Sequence, residues 1–284
     1  MRSASLYDME ADLNIFNTHT HIIFMEIIAA EEIVEAMEGM RDEVQRRVLC
    51  RFFKTGKGEY GEGDEFLGLK VPVTRGVAKE ARLRVPLAEI DKLLASRWHE
   101  VRLCGFLLLV EEMAAALPKR GVDTRDKAMR REEIVRFYLA HARQANNWDL
   151  VDLSCGYIVG VWMLHPLPSS EDAQSPSMPD RSLLDRLADS DNLWEQRIAI
   201  VSTSALIRAG QYADTLRIAT RLLGHPHDLI HKAVGWMLRE VGKKDVEVLR
   251  DYLDRYCLEM ARTTLRYAIE RFDEGERHYW LKRK

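Results

Sequence analysis

The stretch LWEQRIAIVSTS, residues 193–204, decides the fold, because four related stretches lie elsewhere in the chain. They are WHEVRLCGFLLL at 98–109, WDLVDLSCGYIV at 148–159, LIHKAVGWMLRE at 229–240 and EMARTTLRYAIE at 259–270. Aligned on one charged position, the five stretches recur at spacings of 50, 45, 35 and 30 residues. Helix-like segments at such intervals predict an all-α chain built from repeats.

The repeat spacing is typical of two-helix units of the HEAT or armadillo kind, with insertions in the earlier units. Stacked units form a solenoid, and its concave face is lined by equivalent faces of the inner helices. We expect residues 25–284 to form a single HEAT-like domain. Residues 1–24 lack helical periodicity, and we expect them to be a disordered extension outside the fold or an upstream start artefact.

Local patterns also predict where helices begin and end. Residues 44–53 are helix-like, and the Gly-rich residues 54–68 that follow predict a loop. Thr74 is a candidate N-cap, and residues 165–180, with four Pro and four Ser, predict a surface loop. The remaining predicted helices are 75–84, 87–96, 98–116, 131–144, 147–164, 181–189, 192–209, 212–223, 227–241, 245–256 and 258–272.

Charge is distributed unevenly along the 284 residues. The net charge is −3, but residues 1–45 carry ten acidic and two basic side chains, a net of −8, which leaves +5 for the remainder. The repeat body is therefore mildly basic. That balance permits a phosphate-binding face without requiring one.

The sequence predicts no metal site and no cofactor. Three histidines, His225, His227 and His231, lie close together, but neither a carboxylate nor a cysteine motif completes a metal site. Four separated cysteines form no zinc-type spacing and are interpreted as reduced core thiols: Cys50, Cys104, Cys155 and Cys257. No apolar run reaches the roughly 18 residues of a membrane span, and no signal peptide is recognisable, so we expect a cytoplasmic protein.

One equivalent position in each inner stretch holds a charged residue, and four of these five residues are basic. Such residues could simply cap carbonyl groups or pair with acids of the next repeat. A row of cations could instead follow a polyanion, for which DNA is the obvious candidate. The row consists of Arg102, Asp152, Arg197, Lys232 and Arg262.

Asp152 is the acidic member, and it lies one helical turn after Trp148 on the same face. Structurally, it could pair with Arg197 of the following repeat. Functionally, a carboxylate beside an indole could stabilise a developing cation. Trp236, four residues after Lys232, could add a second indole, although tryptophans on inner helices usually pack in the core.

Four blocks together resemble the AlkD-like DNA alkylation repair family over residues 25–272. They are RFFKTGKGEYGEGDEFLG (51–68), NNWDLVDLS (146–154), NLWEQRIAI (192–200) and KAVGWMLRE (232–240). The resemblance implies a curved HEAT-like solenoid whose concave face grips duplex DNA. It also implies an enzyme that hydrolyses the N-glycosidic bond of purines alkylated at N3 or N7.

The resemblance assigns roles to individual positions. Trp148 and Asp152 match the family's catalytic Trp and Asp, Trp236 matches a second cleft Trp, and Arg197 matches a phosphate-contacting Arg. Phe52 stands where the best-known form has a Tyr, so aromatic packing is kept but a phenolic contact is lost. We therefore place Phe52 among the DNA-contacting residues, together with Arg197 and the basic members of the row, Arg102, Lys232 and Arg262.

The implied chemistry needs no cofactor, because alkylation gives the purine a positive charge and makes it a good leaving group. Asp152 would stabilise the oxocarbenium-like transition state and help to position water. The expected partner is double-stranded DNA with alkylated bases, bound by a monomer. Two alternatives remain: a non-catalytic HEAT-repeat reader of damaged or branched DNA, and a protein-binding scaffold without salt-dependent DNA affinity.

Overall fold

Short helices joined by tight turns make up the structure, a computed structural model that describes residues 29–120, 122–165 and 179–283. No β-strand occurs in these ranges. One 3-10 helix covers Ala142–Gln144 and one π-helix covers Gly156–Gly160. The α-helices are α1 Ala30–Gly39, α2 Glu43–Phe52, α3 Val71–Ala81, α4 Leu87–Leu94, α5 His99–Ala115, α6 Arg125–Ala140, α7 Trp148–Asp152, α8 Leu183–Ala188, α9 Leu193–Val201, α10 Ser204–Arg208, α11 Ala213–Arg221, α12 Asp228–Lys244, α13 Val246–Tyr256, α14 Arg262–Ala268 and α15 Glu274–Lys282.

The five related stretches form a consecutive stack of inner helices. Helix α5 packs on α7, α7 on α9, α9 on α12 and α12 on α14. Outer helices cover this stack, as α13 covers α12 and α11 covers both α9 and α12. One hydrophobic core runs from Ala30 to Trp280. The predicted all-α fold class is therefore confirmed, and the order of packing is that of stacked helical repeats.

Side-chain caps fix the beginning of several helices. Asp42 accepts hydrogen bonds from the backbone of α2, Asn192 from α9, and Asp245 from α13. Each oxygen satisfies amide groups that have no partner within the helix. None of the described helices has both the length and the apolar character needed to cross a bilayer.

Some predicted boundaries are wrong. Helix α3 begins at Val71, with Pro72 in its first turn, and the predicted cap Thr74 is a buried residue inside the helix. Pro is favoured in a first turn because its missing N–H would have no helical partner there. Helix α6 begins six residues earlier than predicted, since Thr124 caps it by accepting from the Lys127 backbone at 3.3 Å. Helix α15 lies beyond the last predicted helix.

Two predicted long helices are each interrupted. The predicted helix 192–209 is divided into α9 and α10, and the predicted helix 147–164 into α7 and the π-helix. At Gly160 an added Cβ would lie 2.1 Å from the Ser202 carbonyl oxygen, so the two interruptions meet where only glycine fits. The predictions for residues 1–24 and for most of the 165–180 loop fall outside the described residues.

Candidate active site

Trp148 stands at the first position of α7, where a cap and an aromatic cluster hold it. The side chain of buried Asn147 accepts the Trp148 backbone N–H at 2.9 Å. The Trp148 ring lies 5.8 Å from that of Phe52 and 5.4 Å from that of Phe53, measured between centroids. Phe52 is 60% exposed. The end of α2 and the start of α7 therefore form an aromatic surface, and Phe52 leaves one side of it open to solvent. The aromatic packing expected at Phe52 is present.

Asp152 closes α7 one turn after Trp148 and forms a bidentate ion pair with Arg197. Arg197 Nε donates to Asp152 Oδ1 at 2.8 Å, and Nη2 donates to Oδ2 at 2.7 Å. Arg197 Nη1 donates to the Leu229 carbonyl at 2.6 Å. The guanidinium thus joins three successive inner helices, α7, α9 and α12. The ion pair named as the structural alternative for Asp152 is present.

Both members of this ion pair are shielded from water. The side chains of Asp152 and Arg197 are 13% and 6% exposed. Burial raises the pKa of Asp152, while the charge and hydrogen bonds of Arg197 oppose that rise. Each Asp152 oxygen accepts one hydrogen bond from Arg197 and retains a further lone pair. Asp152 is thus a carboxylate of fixed orientation that can still accept a hydrogen bond.

The charged row does not form a continuous exposed stripe, and this corrects the sequence-based picture. Arg102 is buried and donates to Asp64 and to the carbonyls of Ser96 and Arg97. The guanidinium of Arg102 is therefore not exposed for the predicted contact with a phosphate. Arg197 is also buried, with a side chain that is 6% exposed, and its contact with a phosphate stays a prediction. In these two units the charge at the row position is paired with a carboxylate of another element, Asp64 for Arg102 and Asp152 for Arg197.

The last two members of the row differ, since both expose their charge. The side chain of Lys232 is 41% exposed, and its ammonium lies 2.8 Å from Asp228, one turn earlier on α12. Arg262 is exposed at the start of α14 and donates to the Leu281 carbonyl at 3.0 Å. Both remain predicted phosphate contacts.

Trp236 is half-buried on α12 and packs against the hydrophobic core. Within the described part of the chain, its ring has no contact with that of Trp148. The role predicted for Trp236 stays a prediction.

A network of buried charged side chains supports the start of α7. His99 packs on the rings of Phe53 and Phe66, and it bonds Asp64 through Nδ1 at 2.8 Å and Asp149 through Nε2 at 2.9 Å. Burial lowers the pKa of His99, but the two carboxylates more than offset this and raise it to about 9. Arg102 also binds Asp64. The network next to Trp148 therefore contains two cations, His99 and Arg102, whose charges balance those of two anions, Asp64 and Asp149.

The Gly-rich segment that follows α2 is a compact loop anchored to α5. Buried Glu100 accepts backbone hydrogen bonds from Leu67, Gly68 and Leu69 at 2.9, 2.8 and 3.0 Å. At Gly61 an added Cβ would lie 2.4 Å from the Phe53 carbonyl oxygen, so the loop can fold this tightly only with glycine. The loop thereby carries Tyr60 and Asp64 towards α7.

Tyr60 supplies a phenol that the sequence analysis missed. Its ring centroid is 6.4 Å from that of Trp194, and the Lys54 ammonium lies 5.9 Å over its face. Burial raises the pKa of Tyr60, and a hydrogen bond with the Trp148 side chain partly offsets this rise. Lys232 is also close enough to influence the Tyr60 hydroxyl. The loop therefore places a phenol next to the Trp148 side chain.

The described residues hold no cluster of three or more His, Cys, Asp or Glu that could bind a metal ion. Of the three histidines considered in the sequence, His225 bonds the Gln196 side chain at 2.8 Å, and His227 caps α12. These two contacts stabilise the turn between α11 and α12.

Comparison with known proteins gives a decisive match. The family model for DNA alkylation repair enzymes matches residues 33–272, most of the chain. The chain belongs to this DNA alkylation repair family. A search of curated proteins gave no match.

A solved structure supports the fold of this alkylation repair family member. It is described as a predicted DNA alkylation repair enzyme from Enterococcus faecalis, and it superposes with a TM-score of 0.58 at 16% identity. The superposition covers 82% of this chain and 97% of that one. At this identity the likeness concerns the fold alone.

For this alkylation repair family member, we predict that Tyr60→Phe slows its reaction with alkylated DNA by up to about tenfold. The substitution removes the Tyr60 hydroxyl, which interacts with the Trp148 side chain, and a polar interaction of this kind contributes about 1 kcal/mol. Single-turnover kinetics on alkylated DNA check this, with Tyr279→Phe as control because Tyr279 is 57% exposed on α15. Equal rates for Tyr60→Phe and Tyr279→Phe would remove Tyr60 from the site.

Proposed function

We propose that the protein is a DNA glycosylase that hydrolyses the N-glycosidic bond of cationic N3- or N7-alkylated purines in duplex DNA. The observation that carries this proposal is Asp152, a shielded and rigidly held carboxylate one turn from the partly open indole of Trp148. Membership of the alkylation repair family supports a role in repairing alkylation damage. Base excision repair is the pathway that such an activity would serve.

The substrate explains why a carboxylate and aromatic rings would suffice. A purine alkylated at N3 or N7 carries a positive charge, so its bond to deoxyribose breaks without strong acid catalysis. Positive charge then develops on the sugar, and the Asp152 carboxylate stabilises it because low exposure weakens solvent screening. The face of an indole such as Trp148 attracts a cation by about 2 kcal/mol when water is excluded.

Arg197 acts in this proposal as a positioning residue. Its bidentate contact fixes both oxygens of Asp152, and its third contact fixes them relative to α12. Water that attacks the sugar would donate to the remaining lone pairs of the carboxylate. The exposed cations Lys232 and Arg262 would contact phosphates, and Phe52 and Trp236 would contact the DNA near the lesion.

The experiment for this proposal is to incubate the protein with methylated duplex DNA and measure the free bases released. We expect 3-methyladenine and 7-methylguanine in the supernatant, abasic sites in the DNA, and no release from unmethylated duplex. Release of neither base by protein that binds the duplex would favour the alternative, a non-catalytic HEAT-repeat reader of damaged or branched DNA. We further propose that the protein acts as a monomer in the cytoplasm and needs no cofactor.

A further inference from the structure

Helix α7 consists of five residues, yet it carries both Trp148 and Asp152. A helix this short has too few internal hydrogen bonds to hold its own geometry, so its orientation depends on contacts with other elements. The end at Asp152 is fixed by Arg197. The start at Trp148 is fixed from the opposite side, by the Gly-rich loop that follows α2.

The residues on either side of Trp148 in the chain are both linked to one carboxylate, that of Asp64. Asn147 Nδ2 donates to Asp64 Oδ2 at 3.4 Å, while Asn147 Oδ1 accepts the Trp148 backbone N–H at 2.9 Å. On the other side, His99 Nε2 donates to Asp149 Oδ2 at 2.9 Å, and His99 Nδ1 donates to Asp64 Oδ2 at 2.8 Å. Two routes of hydrogen bonds therefore lead from Asp64 to the start of α7.

Both routes lie inside the protein, where water does not replace a lost partner. Asn147 is fully buried. Asp149 is 4% exposed, and its second oxygen, Oδ1, has no hydrogen-bond partner within the described ranges. The bond from His99 is thus the polar contact that holds the Asp149 side chain. Removing Asp64 would loosen the groups on both sides of Trp148 together.

Asp64 is itself held firmly, although it lies in a loop. Its side chain is 2% exposed, and Oδ1 accepts from Arg102, whose guanidinium also binds two backbone carbonyls before α5. The carbonyl of the next residue, Glu65, accepts the His99 backbone N–H at 2.8 Å. A side chain locked in this way can fix the geometry of the groups that it binds.

We propose that Asp64 is a positioning residue, which sets the orientation of the Trp148 indole by fixing both of its neighbours in the chain. The inference rests on the proposed function, in which the indole attracts a cationic base. This attraction acts over the face of the ring, so a tilt of the indole would weaken it. Asp64 is too deeply buried to contact DNA itself.

The first test is Asp64→Asn, which keeps the size of the side chain but removes the charge that binds His99 and Arg102. We expect single-turnover release of an alkylated base to slow by about 10–100-fold, as for misplaced reacting groups, and the Kd for unmodified duplex to stay within about threefold. The control is Asp123→Asn in another ion pair, since Asp123 binds buried Arg131 at 2.9 Å before α6. Equal rates for the two variants, measured where urea unfolding shows both to be folded, would overturn the proposal.

A spectroscopic measurement separates positioning from stability and does not depend on activity. The six tryptophans are replaced by fluorotryptophan, and the fluorine NMR signal of Trp148 is assigned by its loss in Trp148→Phe. We expect this signal to broaden or split in folded Asp64→Asn and to stay unchanged in Asp123→Asn. An unchanged Trp148 signal in Asp64→Asn would overturn the proposal. Base release by the unaltered protein tests the proposed function separately.

A second variant, Asn147→Ser, tests one of the two routes and gives an independent reading if Asp64→Asn does not fold. Serine can still cap α7, but it lacks the amide that donates to Asp64. We expect the Trp148 fluorine signal to broaden in this variant, and the double variant to react no more slowly than Asp64→Asn alone. An unchanged signal in Asn147→Ser, or losses of rate that multiply in the double variant, would contradict the proposal.

Discussion

Replacing Asp152 with Asn is expected to slow release of an alkylated base by about 10²–10³-fold, the effect typical of losing one fixed electrostatic group from an active site. Asparagine keeps the shape of the side chain and one acceptor for Arg197, but it carries no charge to offset the developing sugar cation. Binding to unmodified duplex is expected to stay within about threefold, because Asp152 is not a phosphate contact. Single-turnover release and equilibrium binding on the same preparations check both expectations.

A control is needed because Asp152 also belongs to a shielded ion pair, and removal of one partner from such a pair destabilises proteins by about 3–5 kcal/mol. Asp214→Asn is a suitable match. Asp214 is similarly shielded, and it binds Arg181 at 2.8 Å and Arg217 at 2.7 Å on α11. If Asp152→Asn and Asp214→Asn lowered stability and base release equally, Asp152 would be a structural residue alone.

The second large effect concerns His99, whose replacement by Asn is expected to destabilise the fold by about 3–5 kcal/mol. The substitution leaves Asp64 and Asp149 buried without the cation between them. It also removes the ring that packs on both Phe53 and Phe66. Urea unfolding near pH 6 measures the loss, and His141→Gln is a control at a less buried histidine that also bonds a carboxylate.

The pKa of His99 gives this prediction a second, pH-dependent part. Folding raises the pKa from 6.5 to about 9, so the native state holds a proton that the unfolded chain releases. The resulting stabilisation, on the order of 3 kcal/mol, is complete below pH 6.5 and is lost as pH rises through about 9. His99→Asn should lack this decline between pH 6.5 and 9, as measured by urea unfolding. The same decline in the variant would contradict a protonated His99.

Sequence periodicity predicted the stacking because each inner helix buries one apolar face against the next. It also linked Trp148 to Asp152, since residues four apart share a face of a helix. The spacing of residues along the chain does not show, however, which groups surround a charged side chain in the fold. Arg102 and Arg197 were therefore predicted as surface cations, although carboxylates and carbonyl groups of neighbouring elements bury both.

The missed residues depend on contacts that are distant in sequence. Asp64 and Tyr60 lie in a loop without periodicity, and glycine close packing together with the hydrogen bonds to Glu100 brings them to α7. His99 was within a quoted stretch, but only its contacts 35 and 50 residues away identify it as a buried cation. The acidic residue after Trp148 was the available signal, since Asp149 on an apolar helix needs a partner.

One measurement tests the central claim most directly: single-turnover release of 7-methylguanine from a duplex that contains it at one position. Native protein and Asp152→Asn are compared at saturating concentration, with binding measured in the same samples. The account predicts free 7-methylguanine and an equal amount of abasic strand with the native protein, and a rate about 10²–10³-fold lower with the variant. Binding without release by the native protein, or equal release by both proteins, would contradict it.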